Sequence, residues 1–176
     1  IDDAIKTLPD GIKEKQGAIA ETIENNVRRK IIRDQLLDPT FYGKMSILLG
    51  EIIKERKDDA TRYEEYLKKI AELIKQINQG KFNDTPKELV TPAQRALYHN
   101  LNKDVALATG VDKAIRSSKK PDFRGNPIKQ NEIKAAIYWS LKNYYKQNSA
   151  DSILTETSIK ETVESIFKIV MEQREY

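Results

Sequence analysis

The chain has 176 residues, the size of one domain that buries a core without a disulfide or metal. It has no cysteine and a single histidine, His99, which excludes disulfides, thiol catalysis and Cys- or His-rich zinc sites. No apolar run is long enough to predict a membrane span, and the N-terminus lacks the pattern of a signal peptide. Since it also lacks an initiator methionine, we expect a piece of a longer cytoplasmic protein with no membrane partner.

The formal net charge of +4 is unevenly distributed along the chain. Residues 1–80 have 15 basic and 15 acidic side chains, residues 81–150 have 13 and 6, and residues 151–176 have 3 and 6. The basic excess therefore lies in the middle segment, where a partner carrying phosphates or carboxylates would be attracted.

Apolar residues recur at steps of three and four, which predicts helices that bury one face. The first helix is predicted over residues 11–37, with a buried stripe of Ile12, Ile19, Ile23, Val27 and Ile31. It ends before Pro39, because a residue preceding proline avoids the α region. A second helix begins at Pro39, with Asp38 as a suitable cap, and fades at residues 56–59.

Three capping boxes, at residues 61–64, 91–94 and 158–161, predict three further helix starts. The helix after the first box stops at Gly80, and residues 81–90 form a loop. Two more helices are predicted over residues 104–115 and 128–147. The expected fold is all-α: a single domain, residues 1–176, of about six to seven helices in an irregular bundle. Residues 1–10 are expected to be disordered or a linker, and residues 117–127 a long loop.

The sequence contains one pattern known from nucleases, in which two carboxylates hold Mg²⁺ and a lysine orients water. Asp122 follows a proline, and Glu132-Ile133-Lys134 follows after a spacer. That chemistry is usually built on neighbouring strands, whereas Glu132 and Lys134 fall in a predicted helix where i and i+2 point apart. The pattern therefore favours an ordinary charged helix start. We expect no catalytic, cofactor or metal site, and His99 either is exposed at a helix end or packs beside Tyr98.

The basic segment offers the best candidates for contacts with a partner or with phosphate. They flank or line the irregular loop: Lys113, Arg116, Lys119, Lys120, Phe123, Arg124 and Lys129. Arg124 beside Gly125 could reach a phosphate or carboxylate with both arms of its guanidinium group. The alternative is structural: Phe123 docks the loop on the core, and Arg124 bonds to helix ends.

Two other surface groups have alternative interpretations. Arg28-Arg29-Lys30 and Arg33 form a second basic cluster, which nearby acidic residues dilute, so a solvated face is favoured. The aromatic residues at positions 138, 139, 144 and 145 span more than one face of a helix. Some must be buried, and any exposed ring would suit a protein interface.

Six stretches, in this order, resemble the C-terminal helical region of the R (motor and endonuclease, HsdR) subunit of type I restriction enzymes. They are IENNVRRKII (residues 23–32), DPTFY (38–42), EYL (65–67), TPAQRALY (91–98), FRGNP (123–127) and FKIVMEQREY (167–176). The resemblance covers roughly residues 19–176, and Phe123 stands where that family often has a tryptophan.

The resemblance implies a role in assembly rather than catalysis. In that family the R subunit is an ATP-dependent, DNA-translocating deoxyribonuclease, whose nuclease and motor domains precede the helical region. ATP and Mg²⁺ are thus implied for upstream domains and not for this segment. The implied partners are the methyltransferase and specificity subunits and the upstream motor domains. The alternative is a module that binds the backbone of double-stranded DNA, without reading bases, through residues 81–150.

Overall fold

The computed structural model describes residues 10–58, 62–148 and 155–176. Within these ranges the chain forms seven α-helices, a short 3₁₀ turn and no strand, which confirms the predicted all-α class. The helices are α1 (Asp10–Asp34), α2 (Pro39–Asp58), α3 (Tyr63–Gln79), α4 (Pro92–Asn100), α5 (Val105–Ser118), α6 (Pro127–Asn148) and α7 (Glu156–Glu172), with the 3₁₀ turn at Phe123–Gly125.

The chain divides into two compact units. Unit 1 contains Ile1–Gln35 and Phe41–Asn83, and unit 2 contains Leu36–Thr40 and Asp84–Tyr176. The chain thus passes between the units three times, a division that the sequence did not predict. The prediction that residues 1–176 form one domain stays a prediction.

Unit 1 contains α1, α3 and most of α2, and its helices are joined by polar contacts over an apolar core. Arg56 of α2 donates from Nε to Oε1 of Glu24 in α1 at 2.7 Å, and both side chains are nearly buried. Tyr66 of α3 donates its hydroxyl to the main-chain oxygen of Ala20 in α1. Lys69 of α3 pairs with Glu55 of α2. The end of α2 therefore lies beside the middle of α1 and the start of α3, and Phe41 at the start of α2 packs against Phe82 beyond the end of α3, so α2 and α3 are antiparallel.

Unit 2 is a cluster of four helices around a continuous apolar core. Helix α6 packs against α5, α7 and the 3₁₀ turn, and α4 packs against α5 and α7. The inner face of α6 is closed to solvent at Ile133, Ile137 and Leu141. These side chains recur every four residues, so one helix face lies against the neighbouring elements.

The second predicted capping box is confirmed. Thr91 accepts from the N–H of Gln94, and the Gln94 side chain accepts from the N–H of Thr91. The third box is wrong: α7 begins at Glu156, and its cap is Thr155, whose hydroxyl accepts from the N–H of Ser158. Thr155 and Ser158 each have a hydroxyl that can cap the start of a helix, and the helix begins after the earlier of the two. The first box includes residue 61, outside the described residues, and Arg62 precedes α3 without a side-chain cap bond.

Other boundaries differ by a few residues. Helix α1 ends at Asp34 rather than residue 37, and α5 continues to Ser118, which shortens the irregular stretch to residues 119–126. Of the predicted linker, residues 1–9 lie outside the described part, and Asp10 already belongs to α1. The predicted α1 stripe is only partly correct: Val27 and Ile31 are buried, but Ile19 is 54% exposed. The side chain of Ile12 is not among those described.

Candidate functional site

The loop between α5 and α6 is fixed to the protein by the two residues at its centre. Phe123 is 2% exposed and belongs to the core of unit 2. Arg124 donates to three main-chain oxygens of the C-terminal segment: Nε to Met171 at 3.0 Å, Nη2 to Gln173 at 2.5 Å, and Nη1 to Tyr176 at 3.1 Å. Its guanidinium group also lies 4.7 Å from the centre of the Phe123 ring. The structural interpretation of this pair is therefore the one that the geometry supports.

The same C-terminal segment is held by a buried carboxylate, that of Asp112 in α5. Its Oδ1 accepts from the Tyr176 hydroxyl at 2.5 Å, and its Oδ2 accepts from the Gln94 side chain at 3.1 Å. Arg116 donates from Nε to both oxygens. Burial and the hydrogen bond to Asp112 raise the pKa of Tyr176 far above its ordinary value. The hydroxyl therefore stays protonated and acts as a donor.

Glu175 completes this arrangement, which we call the C-terminal clamp (Asp112, Arg116, Arg124, Glu175 and Tyr176). Oε1 of Glu175 accepts from the N–H of Ala93 in the first turn of α4, and Oε2 accepts from Arg116 at 3.2 Å. A carboxylate at the N-terminus of a helix is favoured by the exposed N–H groups there. The clamp thus joins α4, α5 and the 3₁₀ turn to the end of the described chain.

Of the seven candidate contacts, most are used within the fold. Phe123, Arg124 and Arg116 belong to the core or the clamp. Lys120 pairs with Glu132 at 2.7 Å, and Lys129 donates to the main-chain oxygen of Pro121. Lys113 and Lys119 are exposed, and their side chains form no hydrogen bond or ion pair with any described residue. Of the seven candidates, only these two side chains can therefore bind an external anion without first breaking a contact within the fold.

An open depression lies beside the clamp. It has a volume of about 540 Å³ and is lined by Lys119, Lys120, Pro121, Asp122, Phe123, Arg124 and Tyr176. Asp122 has a left-handed backbone with φ of +57°, a conformation that aspartate tolerates better than most residues. The lysines give this depression a positive rim, but the guanidinium group of Arg124 is already bonded to three oxygens.

Two residues of the nuclease-like pattern, Glu132 and Lys134, form ion pairs with side chains outside the pattern. Lys134 binds the carboxylate of Glu164 at 2.7 Å, and Glu132 binds Lys120. Among the described residues no group of three or more His, Asp or Glu side chains could hold a metal ion. The two motif residues of α6 therefore serve as surface ion pairs, as the helical spacing predicts.

His99 lies in a chain of hydrogen bonds that sequence reasoning missed. Its Nδ1 lies 2.6 Å from Oδ2 of Asp38, and its Nε2 lies 3.1 Å from Oγ1 of Thr85. The imidazole packs edge-on against Tyr98, as one alternative predicted; the other, exposure at a helix end, is wrong because the residue is 4% exposed. The order Asp–His–Thr resembles that of a hydrolytic triad, but the imidazole is closed to solvent, so no substrate reaches it in this conformation.

The outer face of α6 carries the most exposed aromatic residue of unit 2. Trp139 is 55% exposed, and Ala135 and the 74% exposed Ile128 lie on the same face at helical spacing. Lys142 places its ammonium group 5.2 Å from the Trp139 ring and 5.3 Å from the Tyr138 ring. We call this surface the α6 face (Ile128, Ala135, Trp139 and Lys142).

No described helix combines the length and apolar character needed to cross a membrane. Comparison of the chain with family models, with curated proteins and with solved structures gave no match.

Proposed function

We propose that this chain is the C-terminal helical assembly domain of the R subunit of a type I restriction-modification enzyme. It would dock the ATP-dependent, DNA-translocating endonuclease subunit onto the methyltransferase and specificity subunits in the cytoplasm. Catalysis, with its ATP and Mg²⁺, would belong to the upstream domains of the parent subunit. The family assignment rests on the six resembling stretches of the sequence.

The observation that carries the docking role is the exposed Trp139 on a rigidly held helix. Tryptophan is enriched among the residues that dominate binding energy at protein interfaces, because it buries a large surface with few rotatable bonds. Helix α6 is anchored on its inner face by Ile133, Ile137 and Leu141, so it presents Trp139 without further ordering. Lys142 beside the ring adds a cation that would complement an acidic partner surface.

The structural use of the resembling stretches supports the same role. Residues of three of them meet in or beside the clamp: Gln94, Arg124 and Glu175. Asp38 of a fourth stretch binds His99 and Asn100 in the same unit. The resemblance of these stretches to the family can therefore come from side chains that hold the fold together, without any of them taking part in a reaction.

The experiment measures assembly of the R subunit with the purified modification core, by native gel or size exclusion. Trp139→Ala should weaken assembly by about tenfold or more, the effect of losing one central interface residue. Val90→Ala is the matched control, because Val90 is 74% exposed in another segment of unit 2. Normal assembly of a subunit lacking residues 81–176 would overturn the proposal.

The second candidate is binding to the DNA backbone, favoured by the exposed and unpaired Lys113 and Lys119. Affinity for duplex DNA would then fall by about 0.9 log units per log unit of salt for each phosphate contacted. Changing both lysines to alanine should reduce that slope by roughly 2. If the chain does not shift duplex DNA at low salt, this candidate is rejected and the docking proposal is unaffected.

A further inference from the structure

The second half of α1 carries more positive charge than its own carboxylates neutralise. Residues 25–35 include four basic side chains, those of Arg28, Arg29, Lys30 and Arg33, and one acidic side chain, that of Asp34. The sequence predicts that nearby acidic residues dilute this cluster, so that it is an ordinary solvated face. The structure shows which cation each of those carboxylates contacts.

The acidic residues that precede the cluster do not neutralise it. Glu24 is 5% exposed, and its two carboxylate oxygens accept from Nε and Nη2 of Arg56 in α2 at 2.7 and 3.2 Å. The hydrogen bond to Glu24, and also the nearby charge of Glu21, raise the pKa of Arg56. Glu24 therefore neutralises a side chain of α2, and Glu21 forms no ion pair with a cation of the cluster.

The carboxylate at the end of α1 is shared by two other cations. Oδ2 of Asp34 accepts from the ammonium group of Lys30 at 3.0 Å, and its Oδ1 accepts from Nε of Arg33 at 2.7 Å. The hydrogen bonds from Arg33 and Lys30 lower the pKa of Asp34. Asp34 is therefore ionised at neutral pH and already has a cation on each oxygen.

Arg28 and Arg29 are the two cations of the cluster that remain. Both are exposed, and their side chains form no hydrogen bond or ion pair with any described residue. The dipole of the helix does not account for them, because it favours cations within the last turn, and Arg29 lies more than one turn before the end of α1 at Asp34. Neither guanidinium group therefore stabilises unit 1 through a contact with the part of the chain that is described.

An exposed apolar side chain lies one turn beyond these arginines. Ile32 follows Arg28 by four residues and Arg29 by three, which is the spacing of neighbours on one side of a helix, and it is 63% exposed. The exposed Asn25 precedes the arginines at the same spacing. We call this surface the arginine face (Asn25, Arg28, Arg29 and Ile32). Its length is about 10 Å, at 1.5 Å per residue.

Two unpaired arginines beside an exposed isoleucine are a combination that suits a protein interface. A guanidinium group can give a carboxylate two parallel hydrogen bonds, and arginine is enriched at interfaces whereas lysine is depleted. The phosphate backbone of a nucleic acid would also attract the arginines, but contacts to phosphate and sugar offer no apolar surface to Ile32. The combination therefore favours an acidic protein segment over a nucleic acid.

We propose that the arginine face binds an acidic segment of a partner protein, in which carboxylates flank an apolar side chain. Arg28 and Arg29 donate to the carboxylates, and the apolar side chain packs on Ile32. Charge complementarity selects this partner, because residues 25–35 have a formal net charge of +3. The surface belongs to unit 1, so the proposal is independent of the α6 face and of the family assignment.

The same face of a second copy does not have the chemistry of this partner. In a symmetric dimer the same patch of both subunits meets, so the arginines of one copy would lie against those of the other. Like charges placed opposite each other are unfavourable, and this face supplies no free carboxylate to separate them.

The probe is a designed peptide of about 12 residues with a central leucine and two glutamates on each side of it. Its control has glutamine in place of each glutamate. Fluorescence anisotropy with the whole 176-residue chain should show the acidic peptide binding about tenfold more tightly than the control at low salt, a difference of about 1.4 kcal/mol. The difference should shrink as the salt concentration rises, because salt screens exposed charges.

Charge variants locate the binding site on α1. Arg28→Gln combined with Arg29→Gln should weaken binding of the acidic peptide by about tenfold or more. The matched control is Lys54→Gln combined with Lys68→Gln, which removes the same charge from α2 and α3 of the same unit. Both lysines are exposed, and their side chains form no ion pair with any described residue. The control should change the affinity by less than about twofold.

A second pair of variants tests the apolar contact. Ile32→Ser should weaken binding of the acidic peptide by about threefold or more, because the leucine of the peptide loses its apolar neighbour. Ile47→Ser is the matched control, since Ile47 is 64% exposed on α2, and it should leave the affinity unchanged. Circular dichroism of each variant confirms that the helices are retained.

Five outcomes contradict the proposal. The acidic peptide does not bind at about 100 μM; the glutamine peptide binds equally well; the lysine control weakens binding as much as the arginine pair; or Ile32→Ser and Ile47→Ser have the same effect. In the fifth, a short DNA duplex binds more tightly than the acidic peptide and loses affinity with the arginine pair, which assigns the face to nucleic acid. None of these outcomes bears on assembly through Trp139.

Discussion

Nδ1 of His99 lies 2.6 Å from Oδ2 of Asp38, although the two residues are 61 positions apart in the sequence. Asp38 belongs to the short segment Leu36–Thr40, and Thr85, which binds the other ring nitrogen, follows the last passage of the chain from unit 1 into unit 2. His99 therefore fixes two chain segments at the edge of unit 2. Asn100 reinforces the first of them by donating to Oδ1 of Asp38 and accepting from Thr40.

We expect His99→Ala to lower the free energy of unfolding of unit 2 by about 3 kcal/mol, because it removes the contact of the imidazole with the buried Asp38 carboxylate and opens a cavity. Thr85→Val removes only the outer bond and should cost about 1 kcal/mol. Urea unfolding followed by circular dichroism measures both. Equal effects of the two variants would show that the carboxylate contact is not the dominant one.

Arg124 should not be replaceable by lysine. Its three nitrogens reach three different main-chain oxygens, and a single ammonium group cannot reproduce that fork. We expect Arg124→Lys to cost about 2 kcal/mol and to speed amide hydrogen exchange in residues 173–176. Lys113→Ala, on the exposed face of α5, should stay within about 0.5 kcal/mol of the original chain. If lysine at position 124 preserves both stability and exchange rates, the fork does not hold the segment.

Sequence patterns predicted what depends on neighbouring residues. The all-α class, the capping box at Thr91 and the stop at Gly80 follow from local chemistry and are confirmed. The contact between Asp38 and His99 joins residues that are far apart in the sequence, so no local pattern predicts it. The sequence allows Arg124 either to bind an external anion or to hold the fold together. Only the positions of the three main-chain oxygens that its guanidinium group contacts distinguish the two roles.

The candidate docking surfaces were predicted less well, because exposure is a tertiary property. The sequence predicts that Ile19 lies in the buried stripe of α1. In the structure the neighbouring Ala20 points into the core, and Ile19, which lies 100° from it around an ideal helix, is exposed. The sequence predicts that some of the four aromatic rings of α6 are buried and that any exposed ring would suit an interface, and Trp139 is the most exposed of the four. Which of four rings it would be depended on the packing of α5 and α7.

Stability should fall at alkaline pH through Tyr176. Its pKa is raised in the folded state, mainly by burial and also by the bond to Asp112, so the folded chain retains the proton more strongly than the unfolded chain. The stabilisation is complete below the ordinary tyrosine pKa of 10.0 and is lost as the pH rises above it. Tyr66 contributes in the same direction, because burial raises its pKa to about 12.

Tyr176→Phe isolates the contribution of this residue. The variant should be less stable than the original chain at pH 8 by about 1–2 kcal/mol, since Asp112 loses a donor, and the difference should shrink by pH 11. Chemical unfolding at a series of pH values measures it. A difference that stays constant from pH 8 to pH 11 would contradict the assigned direction of the shift.

Two glycines of unit 1 should respond in opposite directions to the same substitution. Gly80 ends α3 with φ of +59°, where its N–H bonds to the oxygens of Gln76 and Ile77. An alanine there must adopt a left-handed backbone, so Gly80→Ala should cost about 1 kcal/mol although no atom crowds the new methyl group. Gly43 lies inside α2 with open space around it, and Gly43→Ala should stabilise the unit by about 0.5–1 kcal/mol. Thermal melts of the two variants measure the contrast. A loss of stability at position 43 would mean that α2 needs a backbone freedom that its helical geometry does not explain.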